Sequence, residues 1–289
     1  ECYHSDYVYI ATGFVPLAHD LYLLFQTIQE IMKDKHVVII GAGLGGLECG
    51  YILAKNGMKV TVLEREAQVG GCLQTFRRGA ALFDTGFHYV GALGEGESLH
   101  TLFSYFDLMS LPWKKLDEDC FDEVVIGEDA FAFANKHQRF YERMSARFPK
   151  EREGLKKYVD FLKQVGDHIF DSFNLQNEGT FTNSLFARSA YEFLNETIKD
   201  PLLRKVLSGT SLKMELNAPT LPLYTFAQIN DSFIRSAWRL RGGGMQIADK
   251  LVGGIQAMGG EVKTWAAVTY IKEEDGKVVG VTINDEDYL

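Results

Sequence analysis

The chain has 289 residues, 46% of them hydrophobic and 24% charged, with 28 glycines against 6 prolines. This is the composition of a globular protein, not of a disordered or fibrous one, and abundant glycine with scarce proline favours an α/β fold with tight turns. The net charge of −9 argues against nucleic acid as a partner, because a phosphate backbone demands a basic face. Cys2, Cys49, Cys72 and Cys120 are scattered without C-x-x-C pairing. That pattern is neither a disulfide framework nor a metal site, and it points to a reducing, cytoplasmic setting.

In chain order, residues 1–35 read as an N-terminal extension. Its apolar stretch from Tyr7 to Ile28 is interrupted by Pro16, His19 and Asp20 and has no cationic start, so it is neither a membrane span nor a signal peptide. At His36 a clear unit begins. Val37–Ile40 is a continuous apolar run, as in a buried parallel strand. Gly41-Ala42-Gly43-Leu44-Gly45-Gly46 follows, then Leu47, Tyr51 and Ala54 at helical spacing, with Asn56-Gly57 as the stop. Lys59–Glu64 is a second strand ending in an acid. The whole is β-turn-α-β in about 30 residues.

Residues 65–91 are glycine-rich, and from about residue 95 apolar residues fall at helical spacing. Leu155, Tyr158, Val159, Leu162, Val165 and Ile169 predict one helix face, and further helices are expected at 183–197 and 201–209. Phe121–Ala134 is strand-like around a turn at Gly127-Glu128-Asp129. Near Trp238 the α/β texture returns: a glycine triplet at 242–244, a helix carrying Ile247, Leu251, Ile255 and Met258, then strands at about 261–273 and 277–284 joined by Asp275-Gly276. The expected organisation is an α/β, Rossmann-like FAD/NAD(P)-binding domain in two parts, 36–91 and 236–289, interrupted by a mostly helical substrate domain over 92–235.

Gly41, Gly43 and Gly46 between a strand and a helix, with Glu64 ending the next strand 21 residues after Gly43, meet the full context of a dinucleotide fingerprint. Gly41 permits the tight turn, Gly43 lets the backbone approach a pyrophosphate, and Gly46 lets helix and strand pack closely. The helix N-terminus offers unpaired N–H groups and the positive end of its dipole. Glu64 suits ribose hydroxyls and repels a 2′-phosphate, so FAD or NAD fits this site and NADP does not. The return to α/β after a helical insertion, in place of continued β-α units, favours a flavoprotein.

The run from Val37 to Gly91 resembles the phytoene desaturase, carotenoid isomerase and retinol saturase family of FAD-dependent oxidoreductases. The residues that carry the resemblance are the fingerprint, Leu63-Glu64, Gly70-Gly71, Thr75-Phe76 and Phe83-Asp84-Thr85-Gly86-Phe87-His88-Tyr89. Cys72 stands where desaturases usually have Arg, and with the Phe83–Tyr89 stretch it looks most like the retinol saturase branch. The resemblance implies a cofactor site of Gly41, Gly43, Leu44, Gly45, Gly46, Glu64, Arg65, Gly70, Gly71, Cys72, Gly86, Phe87 and His88, with Val268 meeting the adenine through its backbone. It implies FAD, with NAD(P)H as an electron donor, and a hydrophobic polyene or isoprenoid substrate whose access is compatible with peripheral membrane contact. His88 and Tyr89 are the candidate catalytic proton donors. Flavin amine oxidases share the same fold signals and form a second enzymatic reading, and a nucleotide-binding piece without chemistry is a third. The resemblance also implies further C-terminal sequence, so 236–289 reads as an incomplete second part. Asp6–Pro16 resembles the Ala-Thr-Gly strand of two-dinucleotide flavoproteins, where it normally follows the fingerprint.

Overall fold

The computed structural model describes residues 36–170, 180–214 and 220–288, so the expectations for residues 1–35 lie outside the described residues. The described residues divide into two compact units: those within 36–88, 104–112 and 240–288 form the first, and those within 89–103 and 113–239 the second. The first boundary therefore falls between His88 and Tyr89, and the short segment 104–112, expected in the helical insertion, belongs with the nucleotide unit. Its Phe106 and Leu108 are buried, and Lys250 pairs with Asp107 at 2.6 Å, which ties the segment to that unit.

The first unit is built on three parallel strands. β1 (His36–Ile40) and β2 (Lys59–Leu63) pair in parallel with Val37 opposite Val60 and Ile39 opposite Val62. Helix α1 (Leu44–Lys55) is the crossover that a parallel pair requires, and Asn56 closes it by donating from Nδ2 to the Ile52 carbonyl at 2.8 Å. A hairpin follows, β3 (Thr75–Arg78) and β4 (Ala81–Asp84), with Phe76 stacked on Phe83 at 5.4 Å. Helix α2 (Met245–Ala257) then leads into β5 (Glu261–Lys263), which joins the free side of β2 in parallel, Val262 opposite Val62. Ile247, Leu251 and Ile255 of α2 are buried, as are Val37–Ile39, Leu47, Val60 and Val62, which makes one core around the sheet. A Cβ on Gly50 of α1 would lie 3.1 Å from both Ile255 and Val62, so a bare backbone lets α1 sit against helix and sheet together.

The strand expected at 261–273 is two strands in two sheets. After β5 the chain turns, and β6 (Val268–Glu274) pairs antiparallel with β7 (Lys277–Ile283), which in turn pairs with β8 (Glu286–Tyr288). The break is at Trp265, whose φ of 56° no strand can accommodate. Asp275 and Gly276, at φ 49° and 73°, make the β6–β7 turn with both central residues left-handed, as a type I′ hairpin requires.

The second unit is mostly helical. Helices His137–Arg147, Arg152–Asp167, Thr180–Phe186, Ala190–Thr197, Pro201–Leu207 and Leu223–Arg235 surround an aromatic core that includes Phe131, Phe133, Phe140, Tyr158, Phe193 and Phe226. The single helix expected at 183–197 is broken, because Ser189 is extended and caps a new helix by accepting from the Tyr191 N–H at 3.1 Å. Strands Asp122–Ile126 and Asp129–Phe133 form the hairpin read around Gly127. A further sheet in the order Val90–Gly91, Ala237–Leu240, Trp113–Lys115 had no clear sequence signal. One buried ionic cluster joins three helices of this unit. Asp231, only 2% exposed, faces His137 Nε2 at 2.6 Å and also bonds Arg235, which reaches Asp167 at 2.6 Å.

Among the described residues no helix is long and apolar enough to cross a membrane.

Candidate dinucleotide site

The site is assembled where β1 gives way to α1. Gly41 leaves the strand at φ 98° and donates its N–H to the Leu63 carbonyl at 2.7 Å, turning the chain across the end of β2. A Cβ on Gly46 would stand 2.0 Å from the Gly41 carbonyl oxygen, so the first turn of α1 can approach the strand only with glycine there. Gly43 and Gly45 are different. A Cβ on either would meet nothing within 4 Å, so their bare backbone faces open space. No side chain caps α1 and its first turn contains no acid, so its N-terminal N–H groups and positive dipole end are left for an anion. The exposed Leu44 flanks this opening.

Glu64 stands at the end of β2 and reads the glycine loop directly. Its Oε2 accepts from the Ala42 N–H at 2.8 Å and its Oε1 from the Glu66 N–H at 2.9 Å. Each carboxylate oxygen retains a lone pair beyond these bonds, which is the capacity a ribose diol needs. Arg65 is exposed and pairs with Glu66 at 3.1 Å. The turn after β5 lies against the same acid loop: Trp265 donates its N–H to the Glu66 carbonyl at 3.1 Å and Ala266 to the Glu64 carbonyl at 2.8 Å. Val268, two residues on, therefore starts β6 from this end of the unit and packs on a cluster containing Val38, Leu63 and Ala266.

A second glycine turn backs the first. Gly70, at φ 104°, donates to the Ala42 carbonyl at 2.7 Å, and a Cβ on Gly71 would come 3.4 Å from the Gly43 Cα. Exposed Cys72 follows, and its carbonyl accepts from the Thr85 hydroxyl at 3.1 Å. A Cβ on Gly86 would lie 3.2 Å from that carbonyl. Residues 84–88 are thus held against residues 70–72, which are held against the fingerprint.

Asp84 does work that its place in the motif did not reveal. Its Oδ1 accepts from the Gly244 N–H at 2.7 Å, and a Cβ on Gly243 would stand 2.9 Å from the same oxygen. A Cβ on Gly244 would likewise meet Phe87 Cβ at 2.9 Å. The glycine triplet 242–244 is therefore the seat for the Asp84–Phe87 segment, across 160 residues of sequence. His88 ends the segment with an exposed side chain.

The neighbouring candidate, Tyr89, belongs to the second unit and is differently placed. Its hydroxyl donates to Asp122 and its ring packs on Phe233 at 4.8 Å. Burial, followed by the Asp122 hydrogen bond and charge, pushes its pKa far above the ordinary tyrosine range. Glu48 on α1, absent from the sequence reading, is pushed up to about 7 by burial.

Strand order and glycine turn together define a Rossmann-like domain. Residues 39–106 match the NAD(P)-binding Rossmann-like domain family. Among curated proteins the chain is similar to all-trans-retinol 13,14-reductase of Danio rerio, 30% identical over 278 residues, which cover 88% of this chain and 45% of that one. It is also similar to a chloroplastic prolycopene isomerase of an Oncidium hybrid, 22% identical, over 89% of this chain and 47% of that one. The chain thus spans about half the length of the curated relatives it matches. Among solved structures, an oxidoreductase from Methanosarcina mazei superposes with a TM-score of 0.63 at 22% identity, covering 88% of this chain and 56% of that one; this shows the fold. The resemblance read from Val37 to Gly91 is met by relatives of that same kind.

Proposed function

We propose that this chain carries the FAD site of an oxidoreductase acting on carbon–carbon double bonds of a hydrophobic polyene, of the retinoid or carotenoid class. The observation that carries the reading is the continuous brace from Glu64 through Ala42 and Gly70 to Gly86, seated by Asp84 on Gly244. A dinucleotide needs open backbone for its phosphates and an acid for its ribose. A flavin needs, in addition, a fixed backbone beyond them, and residues 70–72 and 84–88 supply that fixed backbone. The two similar proteins, named as a retinol reductase and a prolycopene isomerase, support a polyene substrate.

FAD bound here would supply hydride transfer, with NAD(P)H or another reductant restoring it. The open amides at Gly43–Gly46 hold the pyrophosphate, and Glu64 holds the ribose. Cys72 and the backbone of Gly86, Phe87 and His88 line the flavin end. Of the two candidate proton donors, His88 has the exposed side chain, whereas the Tyr89 hydroxyl is engaged in donating a hydrogen bond to Asp122. The proposed donor is therefore His88, and Tyr89 orients the start of the second unit.

The test is anaerobic mixing of the FAD-loaded, chemically reduced protein with all-trans-retinol. Flavin reoxidation matched by loss of polyene absorbance is the expected result. Reduction of the oxidised protein by a primary amine, without reaction with the polyene, would replace this reading by the amine-oxidase one. His88→Gln should slow the polyene reaction by about a hundredfold or more, while Tyr89→Phe changes it only a few-fold.

A further inference from the structure

Trp265 combines two properties that rarely coincide. Its φ is 56°, in the left-handed region where a bulky side chain is strained by about 1–2 kcal/mol. Trp265 as a residue is 69% exposed, more than any other large hydrophobic among the described residues. A residue chosen for folding alone would be glycine or asparagine at that φ, and would not leave an indole in water.

The backbone around it is pinned from both sides. Trp265 donates to the Glu66 carbonyl at 3.1 Å, and its own carbonyl accepts from Asn284 Nδ2 at 2.7 Å. The other end of the same amide, Asn284 Oδ1, accepts from the Ala267 N–H at 3.2 Å. Ala266 is buried and donates to the Glu64 carbonyl at 2.8 Å. The backbone that carries this indole is thus pinned beside Glu64, the acid proposed to receive the ribose. Strain kept at a pinned, exposed position signals use by a ligand.

We infer that Trp265 is a binding residue for the adenosine half of the dinucleotide, its indole face covering the adenine. The inference rests on the dinucleotide reading above and adds to it a contact for the base. The ligand group attached to a ribose that matches a flat, apolar, π-rich surface is a purine, and base–aromatic stacking tolerates little substitution by aliphatic side chains. Glu64 then meets the sugar and Trp265 the base.

Two measurements test this. AMP, which has no flavin to quench tryptophan by energy transfer, is titrated while emission is excited at the red edge. A saturable change in wild-type emission, absent in Trp265→Phe, is expected. Trp265→Gly should then raise the melting temperature, because the left-handed strain is relieved, yet weaken AMP and FAD about tenfold, with Trp265→Phe retaining most of the affinity. A residue that merely packs would lower the melting temperature and leave affinity alone. Nucleotide binding seen by calorimetry, with unchanged emission and unchanged affinity in Trp265→Gly, overturns the inference and leaves the dinucleotide site standing. Absence of any AMP or FAD binding by calorimetry overturns both.

Discussion

The nucleotide unit and the helical unit solve the same problem, holding distant segments together, by opposite means. In the first, backbone meets backbone: Gly41 to Leu63, Gly70 to Ala42, Ala266 to Glu64, with carboxylates of Glu64 and Asp84 accepting from main-chain N–H groups. In the second, side chains meet side chains: an aromatic core and a buried ionic cluster centred on Asp231. Backbone contact leaves glycine surfaces bare and so keeps room for a ligand. Side-chain contact fills the interior. In the proposed function this leaves the glycine turns for the small molecule.

The largest effect that separates the two is expected at Asp231. Asp231→Ala removes the buried acceptor shared by His137 and Arg235 and leaves Arg235 only its Asp167 partner, which costs about 3 kcal/mol. Denaturant unfolding should show the loss in the helical unit, and AMP binding should survive at temperatures where that unit remains folded. Gly46→Ala is the counterpart in the nucleotide unit. Its Cβ would collide with a backbone carbonyl, not with a yielding side chain. A cost of about 1–3 kcal/mol is expected, with FAD affinity lost out of proportion to stability. If Gly46→Ala bound FAD normally, the backbone account of that unit would be wrong.

A smaller effect depends on pH. Burial raises the Glu48 carboxyl to about 7 in the folded protein, above its unfolded value. The folded state therefore holds this proton more tightly. The stability that goes with the neutral form is present below the unfolded pKa and is lost as pH rises from about 4.5 to 7. Glu48→Gln should raise stability by about 1–2 kcal/mol at pH 8 and leave it unchanged at pH 4, as read by thermal melts. Equal gains at both pH values would show that packing, not ionisation, sets the effect.

The contrast also explains what was legible in the sequence. The fingerprint, its helix and Glu64 lie within one short β-α-β unit, where spacing alone implies geometry. The Asp275-Gly276 hairpin is likewise local. The seat of Asp84 on Gly244 was not legible, because 160 residues separate the partners and an acid in a glycine-rich motif has many uses. The Asp231–His137 pair, 94 residues apart, had no spacing to betray it. The single strand read over 261–273 failed at Trp265, since an aromatic residue is a strand former and carries no sign of a positive φ. Ser189 is the reverse case: a small polar residue inside an apolar helical pattern was the cap that splits it.

The most direct test of the central claim is an FAD titration of the wild-type chain beside Glu64→Ala, followed by calorimetry. Glu64 bonds the glycine loop through Ala42, and in the proposed function its remaining lone pairs would meet the ribose. Loss of one charge-assisted hydrogen bond costs about 1.5–3 kcal/mol, so the account expects saturable FAD binding that Glu64→Ala weakens roughly ten- to a hundredfold. FAD affinity unchanged in Glu64→Ala, or NADP bound more tightly than FAD by the wild type, would contradict it.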